Sequence, residues 1–197
     1  MSSTDLGSIR QSILNKTRRD KFIMVITLPK ALKEINISSE RDITTVNENS
    51  IQFSVYGVTV PAIIVDAVEV PYGGQVFNFT SHNRPDYETI SVNFTIDNEF
   101  NNYWAIYKWI NLLNNNKEAF FYAEKIPVLN NPFAEYATNI TVYGIDEYNN
   151  KRIQFDYIGA LPVGLGEIAY SHRDGGEAET TFQFAFSQLH VKPLPEE

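Results

Sequence analysis

The run from Glu88 to Asp97 is the most constraining stretch of the chain. Ile90, Val92, Phe94 and Ile96 fall on one face, and Thr89, Ser91, Asn93 and Thr95 on the other. A period of two sustained this long suits a half-buried antiparallel strand and no helix. The period then changes abruptly. Phe100, Tyr103, Trp104, Tyr107 and Ile110 recur at helical spacing, which predicts one amphipathic helix over about 98–114 with these five residues as its core-packing face. Asp97 or Asn98 can cap its start by accepting from free first-turn amides, and Asn114–Asn116 supplies a stop.

Short strands account for most of the remainder. Phe22–Leu28 is closed by Pro29, Ile51, Phe53 and Val55 alternate with polar residues, and Val58 and Val60 follow Gly57. Ile63–Val70 is expected as a strand ending at Pro71 and the Gly73-Gly74 turn, with Phe77 and Phe79 alternating after it. Further strands are expected at Phe120–Ala123, at Tyr136–Ile145, and at Ile153, Phe155 and Tyr157 after a turn through Asp146–Asn150. A loop over Gly159–Gly166 then separates that strand from another at Glu167–Ser171. Arg173-Asp174-Gly175-Gly176 reads as a tight hairpin turn, and a final strand carries Phe182, Phe184 and Phe186 on one face to near Val191. No helix alternates with these strands, so parallel βαβ units are excluded. The expected fold is mainly β, an antiparallel barrel or sandwich with one packed helix and a short N-terminal helix or arm.

The chain has 197 residues and 43% apolar content, which suits a single domain over 1–197 with a sizeable core. Two segments stand apart. In the arm over 1–20, Leu6, Ile9 and Ile13 have helical spacing behind the potential cap Asp5, and Lys16, Arg18, Arg19 and Lys21 suit the negative end of that helix. Residues 30–49 form a polar insertion with weak periodicity. Such a length inside a domain is either a segment that reaches a partner or a disordered insertion.

Chemistry is scarce. There is no cysteine, which excludes disulfides, thiol catalysis and Cys-ligated metals. His82, His172 and His190 lie far apart with no partner at metal-ligand spacing, and no Gly-x-Ser-x-Gly elbow occurs. Asp146, Glu147, Asp156, Asp174, Glu177 and Glu179 cluster at turns, where solvated charge is the ordinary state. Gly164-Leu165-Gly166 neither opens a helix nor precedes a Lys-Ser/Thr pair, so it supports no phosphate site. The chain is therefore expected to have no catalytic residues, metal or cofactor, and a binding or structural role. No run is long enough to span a membrane, and no signal segment is recognised, so a soluble cytoplasmic protein is expected. The Asn-x-Ser/Thr triplets at Asn15, Asn36, Asn78, Asn93 and Asn139 then follow from an Asn- and Thr-rich composition. A net charge of −8 opposes conventional nucleic-acid binding, which needs a basic face.

Two stretches carry a family resemblance. One runs from Glu88 through Ile90-Ser91-Val92-Asn93-Phe94-Thr95-Ile96-Asp97 into Tyr103-Trp104-Ala105-Ile106-Tyr107-Lys108-Trp109. The other is Arg152-Ile153-Gln154-Phe155-Asp156-Tyr157-Ile158-Gly159-Ala160-Leu161-Pro162, continuing through Gly166-Glu167-Ile168 to Phe182-Gln183-Phe184-Ala185-Phe186. In this order they resemble the tail tube protein of contractile-tailed bacteriophages, as do the turns at Val60-Pro61 and Val70-Pro71-Tyr72-Gly73. The likeness covers about 20–28 and 50–191, while 30–49 and the N-terminal extension depart from the pattern.

The resemblance implies hexameric rings stacked into a hollow tube within a contractile sheath, through which the phage genome passes. It implies self-association, sheath, baseplate and tail-terminator partners, unspecific passage of DNA, and a place in the virion tail. A tube initiator, a baseplate ring, or the tube subunit of a type VI-like secretion or injection system stays open as the alternative. Six copies would carry about −48, so any part of that charge lining the lumen would repel phosphate. Free strand edges suggest that neighbouring subunits join their sheets around the lumen. The insertion is expected to contact the next ring, with Ser39, Arg41, Asp42 and Thr44 as candidates.

Overall fold

The computed structural model describes residues 16–29, 32, 50–51, 54–81, 83, 85–113, 136–173 and 175–195. Along the chain run β1 (Phe22–Thr27), β2 (Ser50–Ile51), β3 (Ser54–Val58), β4 (Ala67–Tyr72), β5 (Gln75–Thr80) and β6 (Ile90–Thr95). The helix α1 (Asn101–Leu113) follows, then β7 (Thr138–Ile145), β8 (Lys151–Leu165), β9 (Glu179–Ala185) and β10 (Gln188–Pro193). The strands hydrogen-bond in the order β2-β1-β7-β8-β9-β6-β3, with β10 also on β8, and β4 and β5 pair with each other. Every pairing is antiparallel. Among the described residues the two ends of this path, β2 and β3, do not meet. The fold is therefore sandwich-like and not a closed barrel.

The hinge of the sandwich is β8. Ile153–Ile158 pairs with β10 on one side, and Leu161–Leu165 pairs with β9 on that same side. The hand-over falls at Gly159, whose φ of 67° is one that only glycine adopts without strain. One strand thereby serves both sheets. The expected loop over Gly159–Gly166 is thus largely strand: glycine bends the ladder there without ending it. The expected strand at Glu167–Ser171 is absent, and its place is taken by an irregular connection that reaches β9. The expected final strand divides at Phe186–Ser187, where the Ser187 amide still donates to Ile158 O at 3.0 Å; both halves lie along β8, and β9 alone also pairs with β6. Ile63–Val65 belongs to no strand, and pairing begins at Ala67. The expected N-terminal helix over 5–15 and strand over 120–123 lie outside the described residues.

The alternation over Glu88–Asp97 does what its period requires. Ile90, Val92 and Phe94 are buried while Ser91, Asn93 and Thr95 face away. Opposite them Phe182 and Phe184 are fully buried, and Tyr157 meets Phe184 edge-on at 5.3 Å. Met24, Ile26, Ile140 and Val142 close the core from the other sheet. Leu32, inside the predicted insertion, is also buried in this core.

The helix enters from a fixed corner. Asn102 donates from Nδ2 to Thr95 O at 2.9 Å and accepts at Oδ1 from the Asp97 and Tyr103 amides. Neither Asp97 nor Asn98 is the capping residue. Phe100 holds that position with φ of 60°, its carbonyl accepting from the Trp104 amide. This anchoring turns Asn102, Ala105, Ile106 and Trp109 inward. Tyr103 and Ile110 pack part-buried at the flank of that face, whereas Phe100 and Tyr107 are 37% and 39% exposed. Trp104 is half-buried, stacked on Tyr107 at 5.6 Å, with Lys108 over its ring.

Candidate assembly surface

Ten large apolar side chains are exposed between Val60 and Phe79, a density no other part of the described surface approaches. They belong to an arm that leaves β3, passes through Pro61–Asp66 without regular structure and returns as the β4–β5 hairpin. Gly73 and Gly74 both have positive φ, which a tight two-residue hairpin turn demands. The Ser81 amide closes the base on Asp66 O at 2.9 Å. Register then sorts the side chains: Val68 faces Phe79, Val70 faces Phe77, and Tyr72 faces Gln75. One side of the ribbon is thus apolar from Val68 and Phe79 up to Tyr72, with Gln75 at the turn, while Ala67, Glu69, Pro71, Val76, Asn78 and Thr80 occupy the other. Its exposures run from 41% at Val70 to 77% at Tyr72. A two-stranded ribbon is marginal alone and needs a surface to lie on, and an apolar face this extensive marks an interaction site.

The outward face of the β7–β8–β10 region is polar and internally paired. Asp156 Oδ1 accepts from Thr141 Oγ1 at 2.8 Å and from Gln154 Nε2 at 2.7 Å, and Lys192 Nζ reaches Oδ2 at 3.1 Å. Burial pushes this carboxyl up, but the three hydrogen bonds outweigh it and hold it below the ordinary carboxylate range. Asp146 closes the β7–β8 turn, accepting from the Tyr148 and Asn150 amides and pairing with Arg152 at 2.9 Å. Tyr157, in the core, donates to Thr59 O at 3.2 Å, and burial pushes its phenol up to about 12. These are structural roles. Each carboxylate is satisfied by groups of its own turn or sheet.

The sequence candidates for chemistry do not converge. A cleft of about 720 Å³ lies between Pro85–Tyr87 and Phe186–His190 and contains one histidine and one acid, with Tyr87 stacked on Phe186 at 4.8 Å. His172 is exposed in the β8–β9 connection, and His82 lies outside the described residues. Among the described residues no group of three or more His, Asp or Glu is placed to hold a metal ion, and no helix is long and apolar enough to cross a membrane. Ser39, Arg41, Asp42 and Thr44 lie outside the described residues. The arm was missed in the sequence because alternation marks an apolar face without saying whether that face turns inward. The paired signal available was Gly73-Gly74 between two alternating runs.

The fold has counterparts. A chain from the sheath–tube complex of an extracellular contractile injection system in its extended state aligns over 98% of this chain and 99% of its own, with 14% identity and a TM-score of 0.59. A chain from the sheath/tube terminator of such a system covers 92% and 99%, at 11% identity and 0.58. One from the tube-terminating cap of an anti-feeding prophage covers 91% and 92%, at 14% and 0.56. At these identities the likeness is one of fold. A comparison with curated protein sequences gave no match. The model of the family described as phage tail tube protein matches residues 17–192, nearly the whole chain, and the protein belongs to that family.

Proposed function

We propose that copies of this chain close into hexameric rings and stack into a hollow tail tube within a contractile sheath, the conduit for genome delivery. The role is structural, with no catalytic step. The observation that carries this reading is the apolar face of the β4–β5 ribbon, which has no partner among the described residues and is supplied by every copy. A second copy is the one partner guaranteed to be present at matching stoichiometry. The sheath, the baseplate and a terminator are the other partners, DNA passes without specific binding, and the virion tail is the location. Because chains from a terminator and a cap share the fold, a ring at the tube's end is the second reading.

Neighbouring sheets joining edge to edge would close the ring, as free antiparallel edges favour. Ring-to-ring contacts from residues 30–49, with Ser39, Arg41, Asp42 and Thr44, complete the proposal. Negative-stain microscopy and light scattering of the purified protein test it: rings or tubes are expected, and monomers across all salt and protein concentrations would refute it. Deleting 31–48 tests the insertion, since normal long tubes would remove its assigned role.

A further inference from the structure

Charge is unevenly placed along β8. Its first residues, Lys151 and Arg152, lie beside the entry to β1, because the Ile145 amide donates to Lys21 O at 3.1 Å and Lys21 Nζ reaches Asn149 Oδ1. Lys16, Arg18 and Arg19 precede Lys21, and Lys192 stands at the same end of β10. Three of these cations are taken: Arg18 by Asp20 at 2.8 Å, Arg152 by Asp146 at 2.9 Å and Lys192 by Asp156 at 3.1 Å. Lys16, Arg19, Lys21 and Lys151 have no carboxylate partner among the described residues, and Glu147 is the one further acid of the β7–β8 turn.

The other end of β8 is acidic. The Gly166 amide donates to Thr181 O at 2.7 Å and the Ile96 amide to Ala178 O at 2.8 Å, which gathers Asp97, Glu167, Glu177 and Glu179 at one end of β6, β8 and β9. All four are exposed. Glu179 accepts from Tyr56 Oη, and Arg173 is the one basic residue described in the β8–β9 connection. Strand β8 is 15 residues long, roughly 45 Å of strand at about 3.3 Å per residue. Side chains at its two ends therefore cannot meet within one copy, even with the bend at Gly159.

Closure through strand edges, as proposed above, extends each sheet across its strands and leaves the strand ends facing the neighbouring rings. We propose that the basic end, formed by β1, β10 and the start of β8, docks on the acidic end of a copy in the next ring, and that this pairing fixes the direction of stacking. This rests on the tube reading above. Hydrophobic attraction is non-directional, so the apolar ribbon supplies affinity. Complementary charge contributes orientation more than affinity. An inverted ring sets like charge against like, which is the repulsive element that specificity needs.

Charge reversal tests the pairing. Glu167→Lys with Glu177→Lys makes both ends basic and, each exchange adding two charges, moves the net charge from −8 to −4. Lys16→Glu with Arg19→Glu makes both ends acidic. Net repulsion alone predicts easier tube formation for the first pair, and the pairing of ends predicts the opposite. At about 0.05 M salt each variant alone is expected to form rings, with the concentration needed for tubes rising roughly tenfold or more. An equal mixture of the two is expected to return to the parent value. Parent-like tubes from either variant alone, or folded variants whose mixture does not recover, overturn the proposal. Loss of the rings themselves also overturns it, since the contact would then lie within a ring. A parent that forms neither rings nor tubes refutes the tube reading instead. Carbodiimide, which joins a carboxylate to a lysine in contact with it, needs no variant. Peptide maps of parent tubes are expected to join Glu167 or Glu177 to Lys16, Lys21 or Lys151, and maps that never join the two ends overturn the proposal.

Discussion

Replacing Phe77 and Phe79 together by serine separates folding from assembly. Both rings lie on the apolar side of the β4–β5 ribbon, 45% and 57% exposed, and they face Val70 and Val68. Fully burying a phenylalanine contributes about 1.5–3 kcal/mol. Roughly half of each ring remains to be covered, so docking on a second copy gains about 1 kcal/mol or slightly more per ring. Losing both removes about 2–3 kcal/mol per contact, a factor of roughly 30 to 140 in association. The ribbon pairs with no strand of the sandwich, so global unfolding should move by less than about 0.5 kcal/mol. The assay is paired. Urea denaturation of the unassembled protein should give parent-like midpoints, while sedimentation should show the concentration needed for assembly rising by at least tenfold. Unchanged assembly would mean that the apolar face is not a contact between copies. A large drop in the urea midpoint would mean that the ribbon belongs to the folding unit.

Three further outcomes follow from the core and its margins. Phe182→Ala empties a fully buried site beside Trp109 and Phe184 and should cost about 3–5 kcal/mol in the same denaturation experiment. Asp156→Asn should cost about 1–2 kcal/mol at neutral pH. Because the folded carboxyl lies below its unfolded value, that contribution is present above about pH 4 and is lost as pH falls through the folded pKa, so parent and variant should converge in acid. Tyr157, raised to about 12, has the opposite sign: its contribution is full below about pH 10 and declines towards 12, and Tyr157→Phe should flatten that alkaline slope in thermal melts.

The sequence was most legible where local period and tertiary role agreed. Strand β6 lies within the predicted Glu88–Asp97, and α1 within the predicted 98–114. Hydrophobic period says little about rotation, however. The predicted helical stripe differs from the buried face because Asn102 binds the Thr95 carbonyl and Phe100 takes a left-handed conformation at the corner. Nothing in spacing announces either. Glycine misled in the opposite sense. Gly159 and Gly164 suggested a loop, yet they bend a strand that stays paired through Leu165. The break inside Phe182–Val191 was equally invisible, because it depends on tertiary pairing: both halves lie along β8, and only β9 also pairs with β6.

Charge and the apolar ribbon oppose one another in a way that salt can resolve. Each copy carries −8, so bringing copies together concentrates like charge. The ribbon's driving force is removal of apolar surface from water, which screening does not weaken. Repulsion between exposed charges is screened beyond about 10 Å at 0.1 M ionic strength and about 3 Å at 1 M. Raising sodium chloride from 0.05 to 0.5 M should therefore lower the concentration at which tubes appear, and light scattering against protein concentration measures it. An interface held by ion pairs gives the reverse trend. Arg152–Asp146 and Lys192–Asp156 show that such pairs exist on this molecule, but they are closed within one chain. Tubes that dissolve as salt rises would show that complementary charge, and not the apolar face of β4–β5, carries the contact.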